Sequence, residues 1–412
     1  MVGRPTPGRG PPLGPVRLLT GDVRRIDANE RRARLASRHG LAAPATDLVA
    51  AAGQLIGFHS SDTVSVYLSA RARLADFAVA DLEDALYQQR SLVRMLGMRR
   101  TMFVVPVECA AVIDAACTRA LAPAERRRLV KMLEDQGIAE DGTHWLGRVC
   151  DATMAALATR GEATAAELTE EVPELGLKLS FGAGKKWAGT VGVSTRVLFL
   201  LAAEGMVVRG RPLGSWVSRQ YRWSPMATWL DGGPATMEAA AARRALLERW
   251  LRAFGPGTLT DLRWWTGWTV KQTEAAVSAV GAVEVRLDEG TGYVLADDLD
   301  PTGASGPGVA LLPALDATVM GWKERSWYLG DHTQWLFDRN GNAGPTVWFE
   351  GRVVGGWGQR ADGEVAVRLL EDVGRDAEAS ICAEAERLSA WLDPTRVTPL
   401  FRTPLERELA DS

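Results

Sequence analysis

The clearest pattern of hydrophobic and polar positions lies between residues 237 and 296. Apolar residues first recur every three or four positions, and Gly255-Pro256-Gly257 then predicts the end of this helix. Two shorter helical patterns follow, the first with Thr258 or Thr260 as its cap and Gly267 as its stop. Alternation over the remaining residues predicts two strands. Three helices followed by a hairpin is the order of a winged-helix unit, whose third helix commonly meets DNA.

The same order of elements recurs twice upstream of this unit. In the middle of the chain the pattern predicts helices over 147–159, 165–171 and 194–204, an irregular insert before the last of them, and strands over 206–212 and 215–223. The first part fits more loosely, with helical patterns over 22–39, 47–56, 63–74 and 81–90 and a strand over 99–105. We therefore predict three winged-helix units in tandem, at residues 16–106, 107–233 and 234–300.

The rest of the chain, residues 301–412, changes to a strand-rich pattern. It predicts a small antiparallel β domain with a tight turn at Glu350-Gly351 and a final helix over Asp376–Trp391. At the other end, residues 1–15 are rich in Pro, Gly and Arg and lack the apolar stretch of a secretion signal, which predicts a disordered leader. The predicted fold class is therefore α+β: tandem winged-helix domains followed by a small antiparallel β domain and a C-terminal helix.

Composition narrows the class of protein without deciding it. The 412 residues are 46% hydrophobic and 24% charged, which is ordinary for globular domains. A formal net charge of -3 and a pI of about 6.0 argue against a bulk nucleic-acid coat protein, which needs a strongly basic balance. No apolar run approaches the roughly 20 residues that span a bilayer. We expect a cytoplasmic monomer with no membrane segment.

Positive charge is nevertheless concentrated in two stretches. Residues 182–223 hold seven basic side chains and one acid, Glu204, and residues 92–100 hold three basic side chains and no acid. Such stretches form either a solvated face or a surface that meets DNA phosphates. The candidates for DNA binding are Lys185, Lys186, Arg196, Arg219 and Arg222.

Five phrases in order along the chain resemble one known family. They are MRRTMFVVP, GSWVSRQYRWSPMATWL, LLPALDATVMGWKER, PTVWFEGRVVGGW and RTPLERELA. Together they are similar to the winged-helix DNA glycosylases of the AlkZ and YcaQ type. The resemblance implies a cradle for double-stranded DNA containing a modified base. It also implies an active-site signature near the end of the second helix, which reads Gln-apolar-Gln or His-apolar-Gln and then Asp.

The stretch that matches this signature is Gly57-Phe58-His59-Ser60-Ser61-Asp62. His59 falls on the first catalytic position and matches the His form. Ser60 replaces the apolar residue, and Ser61 replaces the second Gln, which in the family helps to place the attacking water. The resemblance therefore makes His59, Ser61 and Asp62 the candidate catalytic residues. Without the resemblance, a lone histidine at a helix end is usually structural, and Ser61 or Asp62 before a helix is normally an N-cap.

Base excision breaks the bond between C1′ of deoxyribose and a base nitrogen through a transition state that resembles an oxocarbenium ion. A purine alkylated at N7 already carries positive charge, so the enzyme must mainly hold a water and accept its proton. An imidazole with its usual pKa near 6.5, its second nitrogen oriented by a neighbouring acceptor, suits this task. Because serine is shorter than glutamine, the pocket at Ser61 should have room for a bulky adduct.

No His, Cys or carboxylate pair has the spacing of metal ligands, and no lysine lies within the signature. We therefore predict a monofunctional DNA glycosylase without metal or cofactor. Its predicted substrate is a bulky N7-guanine adduct, removed in DNA repair or in self-resistance to a genotoxin. Two alternatives stay open, namely a non-catalytic winged-helix regulator and a damage sensor that binds the adduct without releasing the base.

Overall fold

The structure, a computed structural model, describes residues 23–182, 184–185, 188–230, 232–233, 235–303 and 308–412. The leader predicted for residues 1–15 lies outside these ranges, and so does Lys186. In the described part, helices are combined with several small antiparallel sheets, which confirms the mixed α+β class. No helix there combines the length and the apolar character that crossing a bilayer requires.

The first part of the chain surrounds a three-stranded antiparallel sheet in which β3 lies between β1 and β2. Its elements are α1 Ala28–Arg38, α2 Leu48–Gln54, β1 Phe58–His59, α3 Thr63–Arg71, α4 Val79–Tyr87, β2 Leu92–Leu96 and β3 Met102–Pro106. The four predicted helices are present. The first begins at Ala28 because the side chain of Asp27 accepts a hydrogen bond from the Glu30 N–H at 2.9 Å and so caps the helix there.

The middle part contains more helix than the sequence pattern predicts. Its elements are α5 Val107–Ile113, α6 Ala122–Asp135, α7 Gly142–Arg160, β4 Ala163–Thr164, α8 Ala165–Glu171, β5 Lys178–Phe181, β6 Gly189–Gly192, α9 Val193–Ala203, β7 Val207–Pro212, β8 Tyr221–Pro225 and α10 Met226–Trp229. A π-helical turn, Asp114–Thr118, follows α5. Strands β4, β8 and β7 form one sheet, and β5 pairs with β6 in a separate hairpin.

Two predictions for the middle part are wrong. The insert predicted to be irregular contains the β5–β6 hairpin. The strand predicted to start at Ser215 starts at Tyr221, because Leu213 and Gln220 close a loop with a 2.7 Å backbone hydrogen bond. Within that loop the ring of Trp216 packs on Tyr67, with 4.9 Å between centroids. Packing against the first part of the chain therefore outweighs the strand pattern of the residues.

The third part has the predicted order of three helices and a hairpin. Its elements are α11 Ala239–Phe254, α12 Leu259–Thr266, α13 Val270–Val280, β9 Val283–Leu287 and β10 Gly290–Val294. Of the two possible caps, Thr258 is the one that begins α12, and it exchanges hydrogen bonds with Asp261. Gly267 ends that helix in the left-handed conformation, with φ of +78°.

The last part contains a four-stranded antiparallel sheet in the order β11-β12-β13-β14. Its elements are β11 Val309–Leu312, α14 Ser326–Leu329, α15 Thr333–Leu336, β12 Thr346–Phe349, β13 Arg352–Gln359, β14 Val365–Leu369, α16 Arg375–Leu392 and α17 Pro404–Asp411. Glu350 and Gly351, both with positive φ, form the predicted turn between β12 and β13. The predicted C-terminal helix corresponds to α16, and α17 follows it.

One hydrophobic core contains residues from all four parts of the chain, among them Phe58, Cys109, Trp250 and Trp348. A second core, which includes Leu133 and Leu201, holds the middle part together. Strand β1 is thus buried where elements from distant parts of the sequence pack against each other. This placement matters because β1 carries the candidate residue His59.

Candidate active site

The candidate residues lie where β1 leads into α3. The chain enters β1 through two residues with positive φ, Ile56 at +63° and Gly57 at +150°. A Cβ atom on Gly57 would lie 2.8 Å from the carbonyl oxygen of Val104 on β3. Glycine therefore allows β1 to approach β3 closely. Backbone conformations of this kind cluster at functional sites, and here they lie just before His59.

His59 is buried on one face of the three-stranded sheet. It lies opposite Phe103 in the register of β1 and β3, and the two rings meet edge-on with 5.0 Å between centroids. The Ser61 N–H donates to Nδ1 of His59 at 3.4 Å, so the neutral imidazole carries its proton on Nε2. The expected neighbouring acceptor is therefore wrong, because a donor occupies Nδ1. The other ring nitrogen is a donor toward any ligand.

The charge state of His59 also differs from the sequence-based expectation. Burial, and after it the positive charge of Arg99, lowers the pKa of His59 to about 3, although Asp316 opposes the shift. Asp316 is itself fully buried and paired with Arg73 at 2.7 Å. His59 is thus neutral at pH 7, and the expectation of a pKa near 6.5 is wrong.

Ser60 and Ser61 connect the site to the start of β3. The Ser60 N–H donates to the carbonyl oxygen of Met102 at 2.7 Å, and the Met102 N–H donates to Oγ of Ser61 at 3.4 Å. The side chain of Ser61 therefore contacts the neighbouring strand through Oγ. This contact accounts for Ser61 without the N-cap interpretation.

Asp62 stands at the N-cap position of α3, yet its side chain makes no capping hydrogen bond. Oδ2 of Asp62 instead accepts from the Leu400 N–H at 2.9 Å, so the C-terminal segment is fastened to the site. Oδ1 is buried and has no hydrogen-bond partner among the described residues. Burial raises the pKa of Asp62, and the rise is opposed by the Leu400 N–H, by the charge of Arg219 and by the nearby backbone N–H groups of Val64 and Thr63. Oδ1 is thus the oxygen without a hydrogen bond of normal geometry, in an environment of low dielectric.

A small cavity adjoins Asp62 on the side of the four-stranded sheet. Its volume is about 10 Å³, room for roughly one water molecule, and its walls include Ser65, Ala314, Gln359 and Glu406. His59 does not line this cavity. The structure therefore brings Ser61 to His59, but it gives His59 and Asp62 separate neighbours. Within the described ranges no group of three or more His, Cys, Asp or Glu residues could hold a metal ion.

The comparisons with known proteins bear on this site. A model of the family described as DNA glycosylase AlkZ-like matches residues 52–391, a range that includes His59, Ser61 and Asp62. The chain belongs to the AlkZ-like DNA glycosylase family. The solved structure of Streptomyces sahachiroi DNA glycosylase AlkZ has a similar fold, with a TM-score of 0.64 at 20% sequence identity, over 89% of this chain and 97% of that one. A comparison with curated proteins found no match.

A cationic cluster near His59 of this AlkZ-like glycosylase was not singled out from the sequence. The guanidinium carbon of Arg99 lies 3.9 Å from the ring centroid of Trp264, and that of Arg325 lies 4.9 Å from it. Arg99 belongs to the turn between β2 and β3, Trp264 to α12, and Arg325 to the segment before α14. Only the acid-free run at residues 92–100 hinted at this cluster. Its partners are too distant in sequence to be predicted.

The predicted DNA-binding residues of this AlkZ-like glycosylase are spread over several elements. Lys185 is exposed after β5, and Arg196 lies on α9. Arg219 donates to the carbonyl oxygen of Thr398 at 3.0 Å, and its charge lowers the pKa of nearby Asp62. Arg222 pairs with Glu162 at 3.3 Å. Arg219 is therefore the one that the structure brings close to a candidate catalytic residue.

The second basic stretch, residues 92–100, does not form a uniform surface. Arg94 is fully buried, with its guanidinium carbon 4.7 Å from the ring centroid of Tyr221. The hydroxyl of Tyr221 in turn contacts Oγ1 of Thr63 at 2.6 Å. Arg100 pairs with Glu125 at 2.8 Å. Of the three arginines, Arg94 packs behind the start of α3, Arg100 is paired with an acid, and Arg99 is half-buried and close enough for its charge to lower the pKa of His59.

Proposed function

We propose that this chain hydrolyses the N-glycosidic bond of alkylated purines in double-stranded DNA, with a bulky N7-guanine adduct as its preferred substrate. The proposal rests on one observation. This chain of the AlkZ-like family has a buried neutral histidine, His59, and a buried carboxylate, Asp62, at the junction of β1 and α3. We propose that, with DNA bound, these groups supply a donor and an acceptor for one water molecule, although in this structure they have separate neighbours.

The roles follow from the hydrogen-bonding capacity of each group. Nε2–H of His59 donates to the attacking water, and it cannot take the proton of that water because Nδ1 already accepts from Ser61. Asp62 takes the proton through its free Oδ1, since a buried carboxylate with a raised pKa is a stronger base. The negative charge of Asp62 also stabilises the oxocarbenium-like sugar in the transition state.

Two features of the site support the proposed substrate class. Alkylation at N7 makes the leaving base cationic, so departure of the base does not require a protonated group of the enzyme. His59, neutral at pH 7, could donate only from Nε2–H. At position 61 a serine stands in place of the glutamine of the signature, and its Oγ is drawn toward Met102. The space that a longer side chain would occupy favours a bulky adduct over a methyl group.

The glycosylase is proposed to be monofunctional, to act as a monomer and to need no metal. A lyase step needs an amine that attacks C1′ to form a Schiff base. None of the residues from Gly57 to Asp62 is a lysine. Lys323, two residues from Arg325, is the lysine to test because its segment approaches Trp264.

DNA binding is proposed to use three winged-helix units at residues 16–106, 107–233 and 234–300. The support is the order of three helices and a hairpin in the third unit and the related order that ends in α9, β7 and β8. Lys185, Arg196, Arg219 and Arg222 then provide contacts to phosphates, together with Lys186, which lies outside the described residues.

A damage sensor is the second candidate, because Oγ of Ser61 is engaged by the Met102 N–H and is thus less available to hold a water. Such a sensor would bind adducted DNA and release no base. A winged-helix regulator would instead bind one DNA sequence and be indifferent to the adduct.

Base release under single-turnover conditions tests the proposal. Duplexes carrying either a bulky N7-alkylguanine or 7-methylguanine are incubated with the wild type and with Ser61→Gln. We expect the wild type to release the bulky base faster and Ser61→Gln to lose that preference. Equal release of both bases by the wild type contradicts the proposed substrate, and adduct binding without release supports the sensor.

The same samples report on the mechanism. We expect activity in excess EDTA and an abasic strand that breaks only after alkali. An enzyme–DNA adduct trapped by borohydride, and lost in Lys323→Ala, contradicts the monofunctional assignment. Activity that EDTA abolishes and a divalent ion restores contradicts the metal-free one.

A further inference from the structure

Two arginines share one aromatic ring near His59 without any acidic partner among the described residues. The guanidinium groups of Arg99 and Arg325 both lie within 5 Å of the centroid of Trp264, at 3.9 and 4.9 Å. The Arg325 guanidinium also lies 4.8 Å from the ring centroid of Phe337. We call Arg99, Trp264 and Arg325 the arginine–tryptophan stack. It joins the first, third and last parts of the chain.

The charge of the stack is not neutralised within the described ranges. Arg99 and Arg325 form no ion pair there, whereas neighbouring Arg100 pairs with Glu125. Burial, together with the charge of Arg325, lowers the pKa of Arg99 to about 10, which still leaves it charged at neutral pH. Two half-buried cations near each other repel, and an anion between or beside them removes that repulsion.

The backbone at Arg99 has an unfavourable conformation. Arg99 and Arg100 both have positive φ, +51° and +64°, which is unfavourable for side chains other than glycine. The turn is packed against the end of α12, since a Cβ on Gly267 would lie 3.8 Å from the Cα of Arg99. Strain that packing maintains, at a position next to a candidate active site, indicates a functional requirement for the side chain.

We propose that the arginine–tryptophan stack binds a phosphate of the DNA strand next to the damaged nucleotide. This inference rests on the proposed function, because it places the DNA beside His59. Arginine is suited to the role because its planar guanidinium can donate two parallel hydrogen bonds to phosphate oxygens while it stacks on an indole. Trp264 holds the two guanidinium groups in place before DNA arrives.

The sign of the charge favours phosphate over the damaged base as the ligand. An N7-alkylated purine is cationic, and Arg99 and Arg325 would repel it. A phosphate carries the opposite charge and lies one bond beyond the sugar of each nucleotide. Arg99 and Arg325 are thus positioning residues: they fix the deoxyribose relative to His59 without contacting the reacting atoms.

Neutralising single phosphates tests the inference. Duplexes contain a non-cleavable abasic analogue and one methylphosphonate, which removes the charge of one phosphate, at successive positions around the analogue. We expect one position to weaken binding by the wild type by about 10- to 100-fold, as for loss of charge-assisted hydrogen bonds. Arg99→Gly, in which glycine suits the positive φ, should bind the DNA with a methylphosphonate at that position almost as well as it binds the unmodified DNA. Arg99→Lys should lose part of the affinity that the wild type loses.

Arg263→Ala is the matched control, since Arg263 is an exposed arginine next to Trp264 on α12. It should keep the wild-type sensitivity to the methylphosphonate. If Arg99→Gly does not fold, Arg325→Gln provides the same comparison. Equal sensitivity of the wild type and these stack variants at every position would overturn the inference.

Two further arms separate this result from other causes. Inorganic phosphate at constant ionic strength should weaken DNA binding more in the wild type than in Arg99→Gly, because it occupies the same stack; such competition without any methylphosphonate-sensitive position in the DNA would assign the site to a free anion and overturn the inference. The binding readout needs no catalysis. Failure of the wild type to release any base would therefore count against the proposed function alone.

Discussion

At the scale of single residues, the environment of His59 decides what chemistry it can perform. Sequence alone suggests an imidazole that titrates near pH 6.5 and acts as a base. Burial near Arg99 keeps the ring neutral, and the Ser61 N–H fixes its proton on Nε2. The task of proton acceptor then passes to Asp62. The residue types of the signature were predictable, but this division of roles depends on groups that approach only in the folded chain.

The depressed pKa of His59 predicts how stability varies with pH. Near pH 5 the folded protein leaves His59 unprotonated, because its pKa is about 3, whereas the unfolded chain binds a proton with a pKa near 6.5. The free energy of unfolding therefore falls as the pH drops below about 6.5, by about 1.4 kcal/mol per pH unit for each such histidine. His39, whose pKa burial also lowers to about 3, adds a second equal slope.

Urea unfolding of the wild type and His59→Gln between about pH 4.5 and 6 measures this contribution. We expect the free energy of unfolding of the variant to fall less steeply on acidification, by about 1.4 kcal/mol per pH unit, because one proton fewer is taken up on unfolding. The same slope in both proteins would mean that His59 is protonated in the folded state, and would contradict the neutral donor assigned to it.

At the scale of elements, the approach of β1 to β3 positions the site, and Gly57 makes that approach possible. In Gly57→Ala the new Cβ would lie 2.5 Å from Cγ1 of Val105 as well as 2.8 Å from the Val104 carbonyl oxygen, at a φ of +150°. We expect a loss of about 2–4 kcal/mol in the free energy of unfolding, from strain and overpacking together. Base release should fall further than the remaining folded fraction explains, because β1 carries His59.

Gly137→Ala is the matched control for that prediction. Gly137 has φ of +65°, and a Cβ atom added to it would meet no described atom within 4 Å, so only the backbone strain applies there. We expect a loss of about 1 kcal/mol and unchanged base release. Equal losses in the two variants would show that the contact with β3 is not what requires glycine at position 57.

Elements were predictable where local signals agree. Gly267 ends its helix in the left-handed conformation that glycine favours, Thr258, one of the two possible caps, begins that helix with a capping hydrogen bond, and the predicted turn at Glu350-Gly351 is present. The strand at 215–223 failed because Trp216 packs on Tyr67, which lies far away in sequence. Long-range packing of this kind leaves no periodic trace in the chain.

At the scale of the whole molecule, residues from distant parts of the chain, including Arg219 of the middle part, surround the candidate site. Asp62 accepts a hydrogen bond from the Leu400 N–H, and the charges of Arg99 and Asp316 shift the pKa of His59 in opposite directions. The family resemblance identified the central stretch, but the surrounding residues could not be predicted because their proximity is created by tertiary packing. The boundaries predicted for the three winged-helix units stay predictions.

The DNA-binding surface gives a prediction at this scale. Lys185 is exposed and forms no ion pair among the described residues, so its charge is available to DNA. If it contacts a phosphate, Lys185→Ala should flatten the dependence of log affinity on log salt by about 0.9. Lys131→Ala is the control, because Lys131 is engaged with Asp135 at 2.9 Å. An unchanged salt slope in Lys185→Ala would place this lysine away from DNA.

Base release by wild type and His59→Ala tests the central claim most directly. Single-turnover release of a bulky N7-alkylguanine from duplex DNA is measured with folded protein in excess, and His144→Ala, which removes an exposed histidine on α7, is the control. We predict that His59→Ala lowers the rate by about 10²-fold or more, the range for loss of a group that handles a proton or its water, and that His144→Ala does not. Wild-type rates in a folded His59→Ala protein would contradict the account.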